Sequence, residues 1–121
     1  MHARVRFGRT GLMVSRLAFG GIPIQRLSRE DGVRLVADVL GIGNNFTDTN
    51  HKYGHSEERI GEAMRTVSRA SLVIATKSPS TDRKGFLADL DESLRRLRTD
   101  YIDVFQFHGV SSREKMATVM G

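Results

Sequence analysis

The 121-residue sequence contains no cysteine. Disulfide scaffolds, cysteine-ligated zinc and thiol catalysis are therefore excluded together. The sequence also lacks any apolar run near the roughly 20 residues of a membrane span, and its start lacks the apolar centre of a signal peptide. Its 39% hydrophobic and 27% charged residues are typical of a globular protein. We therefore predict a cytoplasmic protein with no membrane partner, and the length alone is that of one typical domain.

The charge is unbalanced but not concentrated. Nineteen lysines and arginines against fourteen aspartates and glutamates give a formal net charge of +5, which permits binding to nucleic acid. However, the basic residues are scattered, and the densest run, Arg95, Arg96 and Arg98, lies on the polar side of a leucine-rich amphipathic helix. We predict a solvated helix face there and no nucleic-acid partner.

Short apolar runs recur at intervals of about 28 to 30 residues, each followed by a loop and an amphipathic stretch. This interval is typical of a β-strand followed by a crossover helix. The runs cover residues 17–19, 45–47, 72–76 and 102–107.

Polar residues mark the starts of the helices expected between these runs. Ser28 caps the first helix, Ser56 opens the second, and either Thr81 or Asp82 caps the third. The fourth helix begins at Ser111, where a glutamate three residues on completes a capping box. Ahead of the first run, alternating apolar residues flank a GRTG turn, which predicts a β-hairpin.

Strands that alternate with helices predict a parallel sheet in an α/β fold. The first two runs are short and partly polar, which suits a (β/α)8 TIM barrel better than an open doubly wound sheet. Eight such units need about 240 residues, close to the usual barrel length. Residues 16–121 supply four units and residues 1–15 the hairpin, so we expect the N-terminal half of one barrel domain. Its open strand edges would favour self-association.

Four polar residues follow the predicted strands, at the end where barrel enzymes have their active sites. Asp48 follows the second run with Tyr53 in the next loop, while Lys77 follows the third run and His108 the fourth. Taken singly, each has an ordinary explanation as a turn, strand-end or loop residue. Together they form a candidate proton-transfer set.

The chemistry of this set points to carbonyl reduction. An ammonium group stabilises a neighbouring phenolate, so Lys77, held by Asp48, would prepare Tyr53 to protonate a developing alkoxide. His108 would donate a hydrogen bond that orients the carbonyl oxygen. None of these side chains supplies a hydride, so the reaction requires a reduced nicotinamide.

The sequence resembles the N-terminal half of the aldo-keto reductases over essentially its whole length. The segments FGRTGLMVSRLAFGG, GNNFTDTNHKYGHSEERIGEAM, LVIATK and SLRRLRTDYIDVFQFHG follow that family's pattern in order. Asp48, Tyr53, Lys77 and His108 match the family's catalytic tetrad. The resemblance implies a TIM barrel that uses NADP(H) to reduce a small carbonyl substrate, an aldehyde or ketone, to an alcohol.

The resemblance also bears on the cofactor. It implies that Asp48, Gly20 and Gly21 lie beside the nicotinamide end, whereas most of the family's cofactor contacts come from later strands. The isolated chain is therefore expected to be inactive. The GGIPI segment is similar to bacterial and archaeal members, some of which carry an iron–sulfur segment near the C-terminus, outside this sequence. Asn44 and Asn45 depart from the family pattern, and we expect them to loosen the packing of the second strand.

Two other sites are disfavoured by the sequence. His51, His55, Asp48 and His108 could ligate a metal only if the two first histidines shared a helix, which Gly54 interrupts, so no metal is expected. The GIG segment at 41–43 precedes a strand and lacks a third glycine, so it is not a dinucleotide-binding loop.

A non-catalytic regulatory or binding subunit remains the alternative to an enzyme, because fold alone does not determine function. The intact tetrad favours the enzyme, since a structural role gives no reason to keep all four groups.

Overall fold

The computed structural model describes residues 3–121. It begins with strands β1 (Arg4–Arg6) and β2 (Met13–Ser15), which pair in antiparallel orientation. Gly8 and Gly11 in the connecting turn have positive φ angles, which glycine adopts without steric cost. The predicted hairpin is confirmed within the described part of the chain. The first two residues of the predicted hairpin segment lie outside it.

A four-stranded parallel sheet follows, with its strands side by side in chain order. A helix connects each strand to the next, which confirms the predicted repeat of strand and helix. The strands are β3 (Phe19–Gly20), β4 (Phe46–Asp48), β5 (Val73–Ser78) and β6 (Val104–Phe107).

The helices lie at the predicted places in the chain. No helix within residues 3–121 is long and apolar enough to span a lipid bilayer. The α-helices are α1 (Arg29–Gly41), α2 (Ser56–Ala63), α3 (Arg83–Leu97) and α4 (Arg113–Met120). Short 3-10 turns cover Pro23–Arg26, Met64–Thr66 and Arg69–Ser71.

Three of the helix starts are fixed by a side chain that accepts a hydrogen bond from the backbone N–H three residues on. Ser28 does so for α1, and Asp82, rather than Thr81, does so for α3. The prediction that α4 begins at Ser111 was wrong by one residue, because Ser112 is the cap. Two adjacent serines offer the same hydroxyl group, and the S-x-x-E pattern favoured the wrong one.

The apolar core lies between the sheet and α1, α2 and α3. Burial of each large aliphatic side chain in such a core contributes about 1.5–3 kcal/mol to stability. The core joins the inner faces of these helices to β5, and it therefore fixes their positions behind the strands. Its buried members are Ile24, Val36, Leu40, Ile60, Ala63, Met64, Leu72, Ile74 and Leu97.

Two buried asparagines immediately before β4 connect the hairpin to the sheet. Asn45 accepts a hydrogen bond from the backbone N–H of Ser15 at 2.7 Å and donates one to the carbonyl oxygen of Met13 at 2.9 Å. Asn44 donates to the carbonyl oxygen of Leu17 at 2.6 Å. Contrary to the sequence expectation, these asparagines fasten β4 in place, because their amide groups satisfy backbone groups of a neighbouring segment.

Candidate active site

The carboxyl ends of β4, β5 and β6 meet at one rim of the sheet. Asp48 is the last residue of β4 and His108 immediately follows β6. Lys77 lies inside β5, one residue before its end, and not after it as the sequence suggested. The backbone N–H of His108 donates to the carbonyl oxygen of Ser78 at 2.8 Å, which holds the end of β6 beside β5.

Lys77 and Asp48 form an ion pair at this rim. The Nζ atom of Lys77 lies 2.7 Å from Oδ1 of Asp48 and 2.7 Å from the carbonyl oxygen of Thr49. The lysine side chain is 17% exposed and the aspartate side chain 42% exposed. Because one carboxylate and one carbonyl oxygen accept from the ammonium group, its position above the strand ends is fixed.

Tyr53 lies in the loop between β4 and α2 and faces both Lys77 and His108. The Lys77 Nζ atom is 5.8 Å from the centre of the tyrosine ring. The rings of Tyr53 and His108 meet edge to face, with centres 6.0 Å apart and planes at 88°. The structure therefore brings together the four side chains of the predicted set. Their catalytic roles remain a prediction.

Gly20, the last residue of β3, and Gly21, which follows the strand, differ in their surroundings. Gly20 pairs with Asp48 in the sheet, is exposed, and has no atom within 4 Å of where a Cβ would lie. A Cβ on Gly21 would lie 2.4 Å from Oγ of Ser56 and 2.6 Å from Oγ1 of Thr49. Close packing explains why position 21 is a glycine, whereas Gly20 leaves open space beside Asp48.

A buried polar layer lies behind the rim, on the opposite face of β5 from Lys77, and the sequence did not reveal it. Its members are His51, Glu57, Asp89, Ser93 and Arg96. Glu57 of α2 is 1% exposed, and among the described residues neither of its carboxylate oxygens has a hydrogen-bond partner. Its Oε1 atom lies 3.7 Å from Nδ1 of His51 and 3.7 Å from Nη1 of Arg96. The guanidinium group of Arg96 supplies a permanent positive charge that partly compensates a carboxylate so placed.

Helix α3 contributes three polar residues to this layer, and all of them surround His51. Arg96 donates from Nη1 to the carbonyl oxygen of His51 at 2.9 Å. On the imidazole, Nε2 lies 3.5 Å from Oδ1 of Asp89 and Nδ1 lies 3.4 Å from Oγ of Ser93. Positions 89, 93 and 96 have the spacing of one helix face, and this polar stripe was the signal available in the sequence.

The arginine run is therefore only partly a solvated face. Arg95 is 71% exposed and pairs with Glu92 on its own helix, as predicted. The prediction was wrong for Arg96, which is 23% exposed and extends inward. Arg98 ends α3 in the left-handed region, at φ 55°.

The pKa values of the two carboxyl groups in the layer, Glu57 and Asp89, are shifted in opposite directions. Burial raises the pKa of Glu57, and the nearby Ser93 hydroxyl and the charges of His51 and Arg96 offset this effect only in part. Partial burial also acts to raise the pKa of Asp89, but hydrogen bonds donated by Ser78 and Ser80, together with nearby positive charge, outweigh it and lower that pKa.

His51 and His55, two candidate ligands of the disfavoured metal site, lie in different environments. His51 belongs to the buried layer, whereas His55 is exposed and contacts Glu58 at 3.3 Å. Within residues 3–121, no group of three or more histidine, aspartate or glutamate side chains is arranged to hold a metal ion.

The raised pKa of Glu57 predicts a specific pH dependence of stability. Between the ordinary value of 4.5 and the raised value, the native state binds a proton that the unfolded state has lost. The free energy of unfolding should therefore fall as the pH rises through this window. In Glu57→Gln this contribution disappears. Urea titrations at a series of pH values should therefore show that the free energy of unfolding of the variant depends less steeply on pH than that of the parent. Identical slopes for parent and variant across the window would contradict the assignment.

A sequence profile described as the Aldo/keto reductase family matches residues 16–121, and the chain belongs to that family. Among curated proteins, it is 33% identical over 118 residues to the L-galactose dehydrogenase of Arabidopsis thaliana. This match covers 85% of this chain and 37% of that protein. The chain thus spans little more than a third of this relative's length.

Solved aldo-keto reductases share the fold. A thermostable aldo-keto reductase in complex with the inhibitor epalrestat superposes with a TM-score of 0.84 at 28% identity, covering 98% of this chain and 48% of the other. An aldo-keto reductase from Bombyx mori in complex with NADP has a TM-score of 0.75 at 23% identity, covering 86% and 37%. The parallel sheet and its helices therefore correspond to part of the TIM barrel of aldo-keto reductases, and the chain spans about half or less of these structures.

Proposed function

We propose that the chain carries the proton-transfer half of an NADP(H)-dependent oxidoreductase that reduces aldehydes or ketones to alcohols. The observation that carries this proposal is the single cluster formed by the Lys77–Asp48 ion pair, the Tyr53 ring and the His108 ring. Family membership supports the oxidoreductase class.

In the proposed reaction, each side chain acts at a stated atom. The phenolic hydroxyl of Tyr53 donates its proton to the carbonyl oxygen of the substrate as negative charge develops there. The ammonium group of Lys77, fixed by Asp48, stabilises the phenolate that remains. The half-buried His108 ring, edge to face with Tyr53, donates a hydrogen bond to the same oxygen and orients it.

A nicotinamide cofactor fits the open side of this cluster. Asp48 is 42% exposed and uses Oδ1 for Lys77, so its carboxylate can also accept from a ribose hydroxyl. Gly20, beside it, leaves space that a side chain would fill. A reduced nicotinamide would supply the hydride that no side chain here can provide. The solved Bombyx mori relative binds NADP, and on that basis we propose NADP(H) for this chain. Since the sequence contains no cysteine, an iron–sulfur cluster with cysteine ligands has no site in it.

The direct test follows the absorbance of NADPH with a panel of simple aldehydes and ketones, using the protein in the form its source gene encodes. We expect NADPH to be consumed only when a carbonyl compound is present, and Lys77→Met to abolish most of the consumption. Binding of NADPH without turnover on any compound of the panel would favour the non-catalytic regulatory subunit instead.

We also propose that the 121 residues alone are inactive and self-associate in the cytoplasm. Within the described residues, β3 and β6 each pair with one other strand, so each has an open edge. Family resemblance assigns most cofactor contacts to strands beyond these four, which supports the lack of activity.

A further inference from the structure

We propose that Arg96 of α3 is a positioning residue that holds the loop of residues 49–55, the Tyr53 loop, against the strand that carries Lys77. Its effect on turnover rests on the proposed function, whereas its effect on the geometry does not.

The contacts of Arg96 converge on the middle of the Tyr53 loop. Its Nη1 atom donates to the carbonyl oxygen of His51 at 2.9 Å, two residues before the tyrosine. The backbone N–H of His51 donates to the carbonyl oxygen of Lys77 at 3.0 Å. One residue of the loop is therefore bonded on one side to the strand of Lys77 and on the other side to α3.

The acceptor groups around Arg96 match the several donors of a guanidinium group. It donates from Nε to Oε1 of Glu92 at 3.1 Å, and its Nη1 lies 3.7 Å from the buried carboxylate of Glu57. A rigid planar group with several donors can serve a carbonyl oxygen and two carboxylates at once, which a single ammonium group cannot. Loss of this group would leave His51 as the remaining basic side chain beside Glu57 in the layer.

The imidazole of His51 gives α3 a second attachment to the loop. It lies between Asp89 and Ser93, at 3.5 and 3.4 Å. Asp89 is itself held by Ser78, the residue after Lys77 in β5. Both the backbone and the side chain of His51 are therefore located by the polar stripe of α3, and the position of Tyr53 relative to Lys77 depends on this stripe.

A purely structural role for Arg96 makes a different prediction. If the arginine only strengthened packing between α2 and α3, its loss would lower the melting temperature and leave the relation between Tyr53 and Lys77 unchanged. The test must therefore measure that relation directly.

The sequence makes such a measurement simple, because it contains two tyrosines, Tyr53 and Tyr101, and no tryptophan. In the chain labelled with ring-¹³C tyrosine, Lys77→Met should shift the Tyr53 ring resonances, since the ammonium group lies 5.8 Å from the ring centre. We expect that shift to fall to less than half when Lys77→Met is introduced into an Arg96→Met background. Tyr101, stacked under Arg69 at 3.9 Å, serves as the internal reference.

Arg95→Met is the matched control, because Arg95 is a neighbour on α3 with an exposed side chain. In this background Lys77→Met should shift the Tyr53 resonances by the same amount as in the parent. If circular dichroism shows that Arg96→Met does not fold, Arg96→Lys replaces it. This change keeps the positive charge but removes the planar group with several donors, and we again expect a reduced shift. A full shift in either folded Arg96 variant would overturn the proposal.

The kinetic readout separates this proposal from the proposed function. If the protein is a reductase, Arg96→Met should lower kcat by about 10-fold or more while the KM for NADPH changes less than about twofold, as expected when a catalytic group is displaced. Failure of the protein, in the form its source gene encodes, to turn over any carbonyl compound would refute the proposed function, and the resonance shifts would still decide the role of Arg96.

Discussion

Replacement of Tyr53 by phenylalanine is expected to lower the turnover of the proposed reductase by about 10²- to 10⁴-fold, the usual contribution of a general acid. The substitution removes the hydroxyl group and keeps the ring, which meets the His108 ring edge to face. The loop should therefore keep its conformation, and the KM for the carbonyl compound should change little. Steady-state rates of NADPH consumption provide the measurement.

The matched control for this substitution is Tyr101→Phe. Tyr101 is exposed and its ring stacks on the guanidinium group of Arg69, before β6 and so at the opposite end of that strand from His108. This variant should retain parental turnover. A Tyr53→Phe enzyme as fast as the parent would remove the tyrosine hydroxyl from the mechanism.

Substitution of Gly61 by alanine should cause a large loss of stability. A Cβ at this position would lie 2.6 Å from the carbonyl oxygen of Arg96 and 2.7 Å from the carbonyl carbon of Leu97. These are backbone atoms of the last turn of α3, so they can yield only if the whole helix moves away from α2. Overpacking of this kind costs about 1–3 kcal/mol, and urea denaturation would measure it.

Gly41→Ala is the corresponding control, because Gly41 is also helical and has no atom within 4 Å of its Cβ position. Alanine there should stabilise the protein by up to about 1 kcal/mol, since glycine loses more backbone entropy on folding. Equal stabilities for the Gly61 and Gly41 variants would show that α2 and α3 are not in close contact at this point.

The convergence of the candidate site could be predicted because it depends on local rules. Asp48, Lys77 and His108 each lie at the end of a run with strand character, and parallel strands bring their carboxyl ends to one rim. The helix starts were similarly accessible from capping residues, apart from the choice between two adjacent serines.

The buried polar layer could not be predicted in the same way. Helical periodicity indicates that Asp89, Ser93 and Arg96 share a face, but it does not say which segment packs against that face. An arginine on the polar side of an amphipathic helix is most simply interpreted as solvated, and Arg95 follows this rule. Arg96 departs from it because the carbonyl oxygen of His51 and the Glu57 carboxylate, both distant in sequence, meet it in the folded chain.

The layer behind β5 also has a consequence for enzyme engineering. Transplanting only the four rim side chains into an unrelated barrel would omit the groups that determine where the tyrosine segment rests. A successful graft would have to carry Asp89, Ser93 and Arg96 along with His51 and Glu57, so that the minimal transferable module spans two helices and a strand.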